Sequence, residues 1–99
     1  MSPTYALETR FARELRRLTR QQRAAVYVAR DQLIEALRQR PPEFPPGLRI
    51  HRVQGHEGVW ELTWAPDGRA TFSYGPEKRP GEPHVIWRRI GDHSILSDP

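Results

Sequence analysis

The sequence predicts an α+β domain with two N-terminal helices packed on one face of an antiparallel sheet, and three observations lead there. Residues 1–40 contain no glycine and one proline, at position 3, whereas all seven glycines and nine of the ten prolines lie beyond Arg40. Apolar residues in the first part recur at helical spacing, and between Val59 and Tyr74 they alternate. The helical part is too short and too polar to bury itself, so helices and strands are read as layers of a single domain spanning residues 1–99.

Taken in order, Tyr5, Ala6 and Leu7 form a short extended stretch suited to an edge strand. Thr9 is the expected N-cap of a first helix that carries Phe11, Leu15 and Leu18 on one face. Thr19 opens the second helix, and Gln22 three residues later completes a capping-box pattern. Val26, Ala29, Leu33 and Leu37 then form one apolar stripe, joined by Ile34, with Arg20, Arg23, Arg30 and Arg38 largely away from it. The Pro41–Gly47 run ends that helix and acts as a stiff connector.

Four strands are expected beyond it: Leu48–Val53, Val59–Trp64, Arg69–Tyr74 and His84–Ile90. For the middle pair, a three-residue loop Pro66-Asp67-Gly68, with Gly68 in the left-handed region, sets Trp64 opposite Ala70, Leu62 opposite Phe72 and Trp60 opposite Tyr74. That register gathers the large apolar residues on one face and leaves Glu61, Thr63, Arg69, Thr71 and Ser73 on an open polar face. Gly75–Pro83 is read as a surface loop.

Charge is distributed unevenly. Of the 16 cations, 15 are arginine, and the net charge is +4. Residues 1–40 hold nine arginines against four acids, whereas residues 41–99 hold seven cations against eight acids, so the positive excess belongs to the helices. Guanidinium forks bind phosphate and carboxylate in bidentate fashion, which points to RNA or an acidic protein as partner. Without cysteine, a disulfide framework and a Cys-based zinc site are excluded. No apolar run approaches the roughly 20 residues that span a bilayer. The opening residues turn charged where an export signal needs an apolar stretch, so a cytoplasmic protein with no membrane partner is expected.

Phosphate-binding glycine motifs, nucleophile elbows and zinc-protease helices are absent from the sequence. The chemistry-bearing residues are scattered: His51, His56, His84 and His93, the acids Glu61 and Asp67, and Arg49, Arg52 and Arg69. No two histidines share an i, i+4 helical spacing, so no metal site is expected. Read from the residues alone, Glu61 and Arg69 are either a cross-strand charge pair that keeps the face soluble or part of a site. His93, after a glycine at the end of an apolar strand, is either an ordinary surface histidine or a catalytic one.

The segments GVWELTW (58–64), PDGRATF (66–72) and IGDHSIL (90–96) resemble the RelE/ParE superfamily of bacterial toxins. The Phe11–Leu15 helix segment and the Leu48–Gly55 strand segment are similar to it as well, so the resemblance covers nearly the whole chain in the right order. It implies a microbial RNase-like fold, RelE-like, with two helices on a curved antiparallel sheet, and a toxin neutralised by a cognate antitoxin. In the RNA-cleaving branch, the toxin enters the ribosomal A site and cuts mRNA without metal or other cofactor. The 2′-hydroxyl attacks the adjacent phosphate and leaves a 2′,3′-cyclic phosphate or its 3′-phosphate product. Gyrase-poisoning relatives generally lack the C-terminal histidine that His93 matches; a non-catalytic ParE-like toxin that binds DNA gyrase is the alternative reading.

Carried over residue by residue, the resemblance makes Arg69 the phosphate clamp and His93 an acid or base. Glu61 and His51 match positions where some members carry acidic and histidine catalytic groups. Arg49 and Arg52 fall near basic residues that other members use on RNA. The N-terminal arginines, Arg20 and Arg23 foremost, would contact ribosomal RNA or dock the antitoxin. The sequence departs from the family pattern in three places. Phe72 and Tyr74 follow Arg69 where a tyrosine is usual. Asp67, an acid used by one subgroup, is read here as turn chemistry. The Gly75–Pro83 insertion is expected to reshape the substrate mouth.

Overall fold

The computed structural model describes residues 2–99. Strand β1 (Thr4–Leu7) leads into α1 (Thr9–Arg17) and α2 (Arg20–Leu37). A 3₁₀ turn (Pro46–Leu48), β2 (His51–Arg52), β3 (Trp60–Thr63), β4 (Gly68–Gly75), β5 (His84–Asp92) and a second 3₁₀ turn (His93–Ser97) follow. The strands form one sheet in the order β1-β5-β4-β3-β2. β1 is the expected edge strand, but it runs parallel to β5, with Thr4 opposite His84 and Leu7 opposite Trp87. The sheet is therefore mixed rather than wholly antiparallel, because the two helices carry the chain back across the sheet before β2 begins.

Helix α2 starts as its sequence requires. The Thr19 hydroxyl accepts from the Gln22 N–H at 3.1 Å, and the Gln22 side chain accepts from the Thr19 N–H at 2.8 Å. The start of α1 differs from expectation, since its N-cap is Glu8, which makes no side-chain cap bond. The Glu8 N–H instead donates to Trp87 O at 3.0 Å, so α1 begins where β1 leaves β5. Phe11 from α1 and Val26, Ala29, Leu33 and Leu37 from α2 meet Leu62, Ala70, Phe72, Val85, Trp87 and Ile90 in the core. Trp87 and Ile90, three residues apart, both reach it because the β4–β5 ladder slips: Thr71 pairs with Arg89 and Phe72 with Trp87, leaving Arg88 as the bulged residue.

The β3–β4 hairpin keeps the expected faces with a different offset. Trp60 lies opposite Phe72, Glu61 opposite Thr71, Leu62 opposite Ala70 and Thr63 opposite Arg69. The register is displaced by two residues from the expected one, which preserves alternation and so keeps every side chain on its face. The loop is Ala65-Pro66-Asp67, closed by Gly68 N–H to Ala65 O at 2.9 Å and Trp64 N–H to Gly68 O at 3.1 Å. Gly68 belongs to the strand and needs no left-handed conformation. Its lack of a side chain is required by the Trp64 ring, whose Cε2 would lie 2.5 Å from a Cβ placed there. β2 is also shorter than expected, because Leu48 belongs to the 3₁₀ turn and Arg49 takes a left-handed φ of 49°.

The polar face is less open than alternation alone implied. Thr71 and Glu61 are buried, and the His93–Ser97 turn folds back so that Ile95 is buried too. A Cβ on Gly91 would meet Ile95 Cγ2 at 3.1 Å, which places that apolar residue over the end of β5.

Candidate active site

Alternation along the strands sorts the candidates by face. His51 pairs with Glu61, and Thr63 with Arg69, so these side chains project away from the helices. Arg52 pairs with Trp60 on the opposite, helix-side face, with its guanidinium 5.2 Å above the indole. Arg52 thus stands apart from Glu61 and Arg69 although its neighbour His51 joins them. Arg49 is exposed at the end of the 3₁₀ turn before β2. Arg20 is exposed at the start of α2, and the Arg23 guanidinium there donates to Leu18 O, closing the α1–α2 corner.

Glu61 joins two neighbouring strands to the site. Its Oε1 lies 3.2 Å from His51 Nε2 and 3.9 Å from Arg69 Nε. The Glu61 side chain is only 8% exposed, so those partners stand in for the water its carboxyl loses. Arg69 is anchored in turn by the hairpin loop. Its Nη1 lies 3.0 Å from Gly68 O, 3.3 Å from Pro66 O and 3.5 Å from Ala65 O. The guanidinium therefore has one nitrogen committed to main-chain carbonyls and another turned toward Glu61.

His93 comes to the same end of the sheet from the other side. Asp92, the last residue of β5, pairs with Gly68, and His93 follows it directly. Asp92 caps the 3₁₀ turn: its Oδ1 accepts from the Ser94 N–H at 2.8 Å and from the Ser94 hydroxyl. Those bonds, the hydroxyl's first, hold the Asp92 carboxyl below the usual carboxylate range. His93 Nδ1 meets the Asp67 carboxylate from the hairpin loop, and both side chains are exposed. That hydrogen bond, reinforced by the charge of Asp67, pushes the His93 pKa above its ordinary value, while Arg69 pulls it down. With Nδ1 engaged, Nε2 is left to face a ligand.

Asp67, read from sequence as turn chemistry, thus also has a partner across the site. Only its place in a loop beside the strand end hinted at this, since its partner lies 26 residues away. The Gly75–Pro83 loop corrects the expectation placed on it. It joins the far ends of β4 and β5, seven residues along β4 from Gly68, and at about 3.3 Å per residue cannot shape the mouth of this site. Among the described residues, no group of three His, Asp or Glu side chains is disposed to hold a metal ion, and no helix is long and apolar enough to cross a membrane.

No protein-family model matches the sequence, and no curated protein matches it. Solved structures match the fold over nearly the full length. The Escherichia coli DinJ–YafQ toxin–antitoxin complex contains a chain that aligns with a TM-score of 0.70 at 13% identity, covering 97% of this chain and 98% of that one. YafQ from E. coli strain BL21(DE3) aligns with a TM-score of 0.63 at 15% identity, over 95% of this chain and 97% of that one. A Helicobacter pylori protein, HP0894, aligns with a TM-score of 0.51 at 18% identity, over 93% and 96%. The chain thus has the α+β fold of YafQ.

Proposed function

We propose that this chain is the toxin of a toxin–antitoxin pair and that it cleaves mRNA on the ribosome by acid/base transesterification. The fold shared with a chain of a toxin–antitoxin complex supports the first part, including a cognate antitoxin as partner. One observation carries the second. Arg69 on β4 lies between two proton-transfer groups on one face: Glu61 with His51 on the β3–β2 side, and His93 with Asp67 at the end of β5. Strands spaced about 4.8 Å apart set those groups on opposite sides of a clamp, as in-line displacement at phosphorus demands.

In this reading, the Arg69 guanidinium holds the scissile phosphate and neutralises charge as the phosphorane develops. Glu61, poised by His51, takes the proton from the 2′-hydroxyl as that oxygen bonds to phosphorus. His93, whose cationic form the Asp67 hydrogen bond favours, gives its Nε2 proton to the 5′-oxygen as the P–O5′ bond breaks. The products are a 2′,3′-cyclic phosphate and a free 5′-hydroxyl. The arginines of α1 and α2, including Arg20 and Arg23, supply the charge for docking on ribosomal RNA.

The test is a translation extract programmed with a defined mRNA. The wild-type protein should cut within translated codons, with or without EDTA. His93→Ala and Arg69→Ala should each slow cleavage by about 10²–10⁴-fold while retaining native circular dichroism. Full activity of the His93→Ala protein refutes the site. Intact mRNA together with DNA-damage signalling in an induced culture replaces the reading with a gyrase-directed toxin.

A further inference from the structure

Trp64 lies on the helix-side face, across the sheet from the residues just described, yet it is tied to them by three contacts. Its indole Nε1–H donates to the main-chain oxygen of Arg69 at 3.0 Å. Its ring covers Gly68 so closely that a Cβ there would lie 2.5 Å from Cε2 and 2.6 Å from Cδ2. Its own N–H donates to Gly68 O at 3.1 Å. The carbonyls that hold the Arg69 guanidinium belong to Ala65, Pro66 and Gly68, the loop that Trp64 closes.

From these contacts we infer that Trp64 is a positioning residue for Arg69, fixing both the main chain from which the guanidinium projects and the loop on which it rests. The inference depends on the reading of Arg69 as the phosphate ligand. The partly buried indole N–H finds an acceptor here, which a phenyl ring over Gly68 would not need. The choice of acceptor gives the tryptophan its role: the hydrogen bond reaches round the strand to the one residue whose side chain must be aimed. A preorganised cation meets developing charge without first giving up conformational freedom, so loosening it weakens phosphate binding.

The experiment measures affinity for a ribosome complex whose A-site codon carries a 2′-deoxyribose at the cleaved position, which binds but cannot react. Four proteins are compared: wild type, Trp64→Phe, Arg69→Ala and the double variant. Trp64→Phe should bind about five-fold more weakly, with native circular dichroism retained and the melting temperature lower by about 4–8 °C, the loss one internal hydrogen bond entails. In the Arg69→Ala background the same change should have no effect on binding, because the group it positions is gone. A Trp64→Phe protein that binds like wild type, or that loses the same factor with Arg69 absent, overturns the inference and leaves the RNA reading standing. A wild-type protein that does not bind the ribosome complex overturns the RNA reading, and the inference with it.

Discussion

Replacing Glu14 with alanine tests whether the seating of β5 against α1 rests on a single carboxylate. Glu14 accepts from Arg89 Nη2 at 2.6 Å, Arg89 Nε at 3.3 Å and the Ile90 N–H at 3.3 Å. Each side chain of the pair is 16% exposed, so Arg89 would be left largely desolvated without its partner. Breaking a fully buried pair costs about 3–5 kcal/mol. Residual exposure, and the bond Arg89 keeps to Asp98 O at 3.2 Å, reduce the expected loss to about 2–3 kcal/mol. For a domain of this size, that lowers the melting temperature by about 10–20 °C. Urea titration followed by circular dichroism, with scanning calorimetry, measures both quantities. The double replacement Glu14→Leu with Arg89→Met should recover much of the loss, since it removes the stranded charge together with its partner. A loss below about 1 kcal/mol for Glu14→Ala refutes the reasoning.

Two further outcomes follow from the site itself. Asp67→Asn should return the His93 pKa toward its ordinary value, read from imidazole resonances in an NMR titration; an unmoved midpoint contradicts the pairing. Because pairing raises the His93 pKa, its stabilisation is fully present below about pH 6.5 and fades as pH rises through the folded value, so the alkaline limb of cleavage should shift to lower pH in Asp67→Asn. Gly68→Ala sets a methyl against the Trp64 ring and should destabilise by about 1–3 kcal/mol in chemical denaturation, whereas a neutral result would mean that the indole swings aside freely.

The elements specified by neighbouring residues were the ones legible in the sequence. The Thr19–Gln22 capping box and the Val26-to-Leu37 stripe are local patterns, and both stand as read. In the hairpin, alternation fixes which face each side chain takes, and that too was legible. Its offset was not, because the loop closes where Trp64 packs over Gly68, a contact that propensity does not encode. The parallel pairing of β1 with β5 and the meeting of Asp67 with His93 depend on the whole chain returning to one place, and no local spacing announces them. At the site, sequence placed Glu61 and Arg69 on one face. It missed the burial of Glu61, which follows from Arg69 and His51 closing over it. It also missed the separation of Arg52, which follows from a two-residue strand whose neighbours point opposite ways.

The parallel β1–β5 ladder has a consequence for how the molecule is made. Leu7 finds its partner only at Trp87, 80 residues later in the chain. At synthesis rates of about 5–20 residues per second, β1 waits roughly 4–16 s for the strand it must join. Through that interval α1 and α2 can coil, but Phe11 has no Trp87 to pack against. His93 follows that strand, so the site is completed only after β5 has been translated. Synthesis order therefore acts as a timer: the chain does not assemble its candidate catalytic face until β5 and the turn after it have been made.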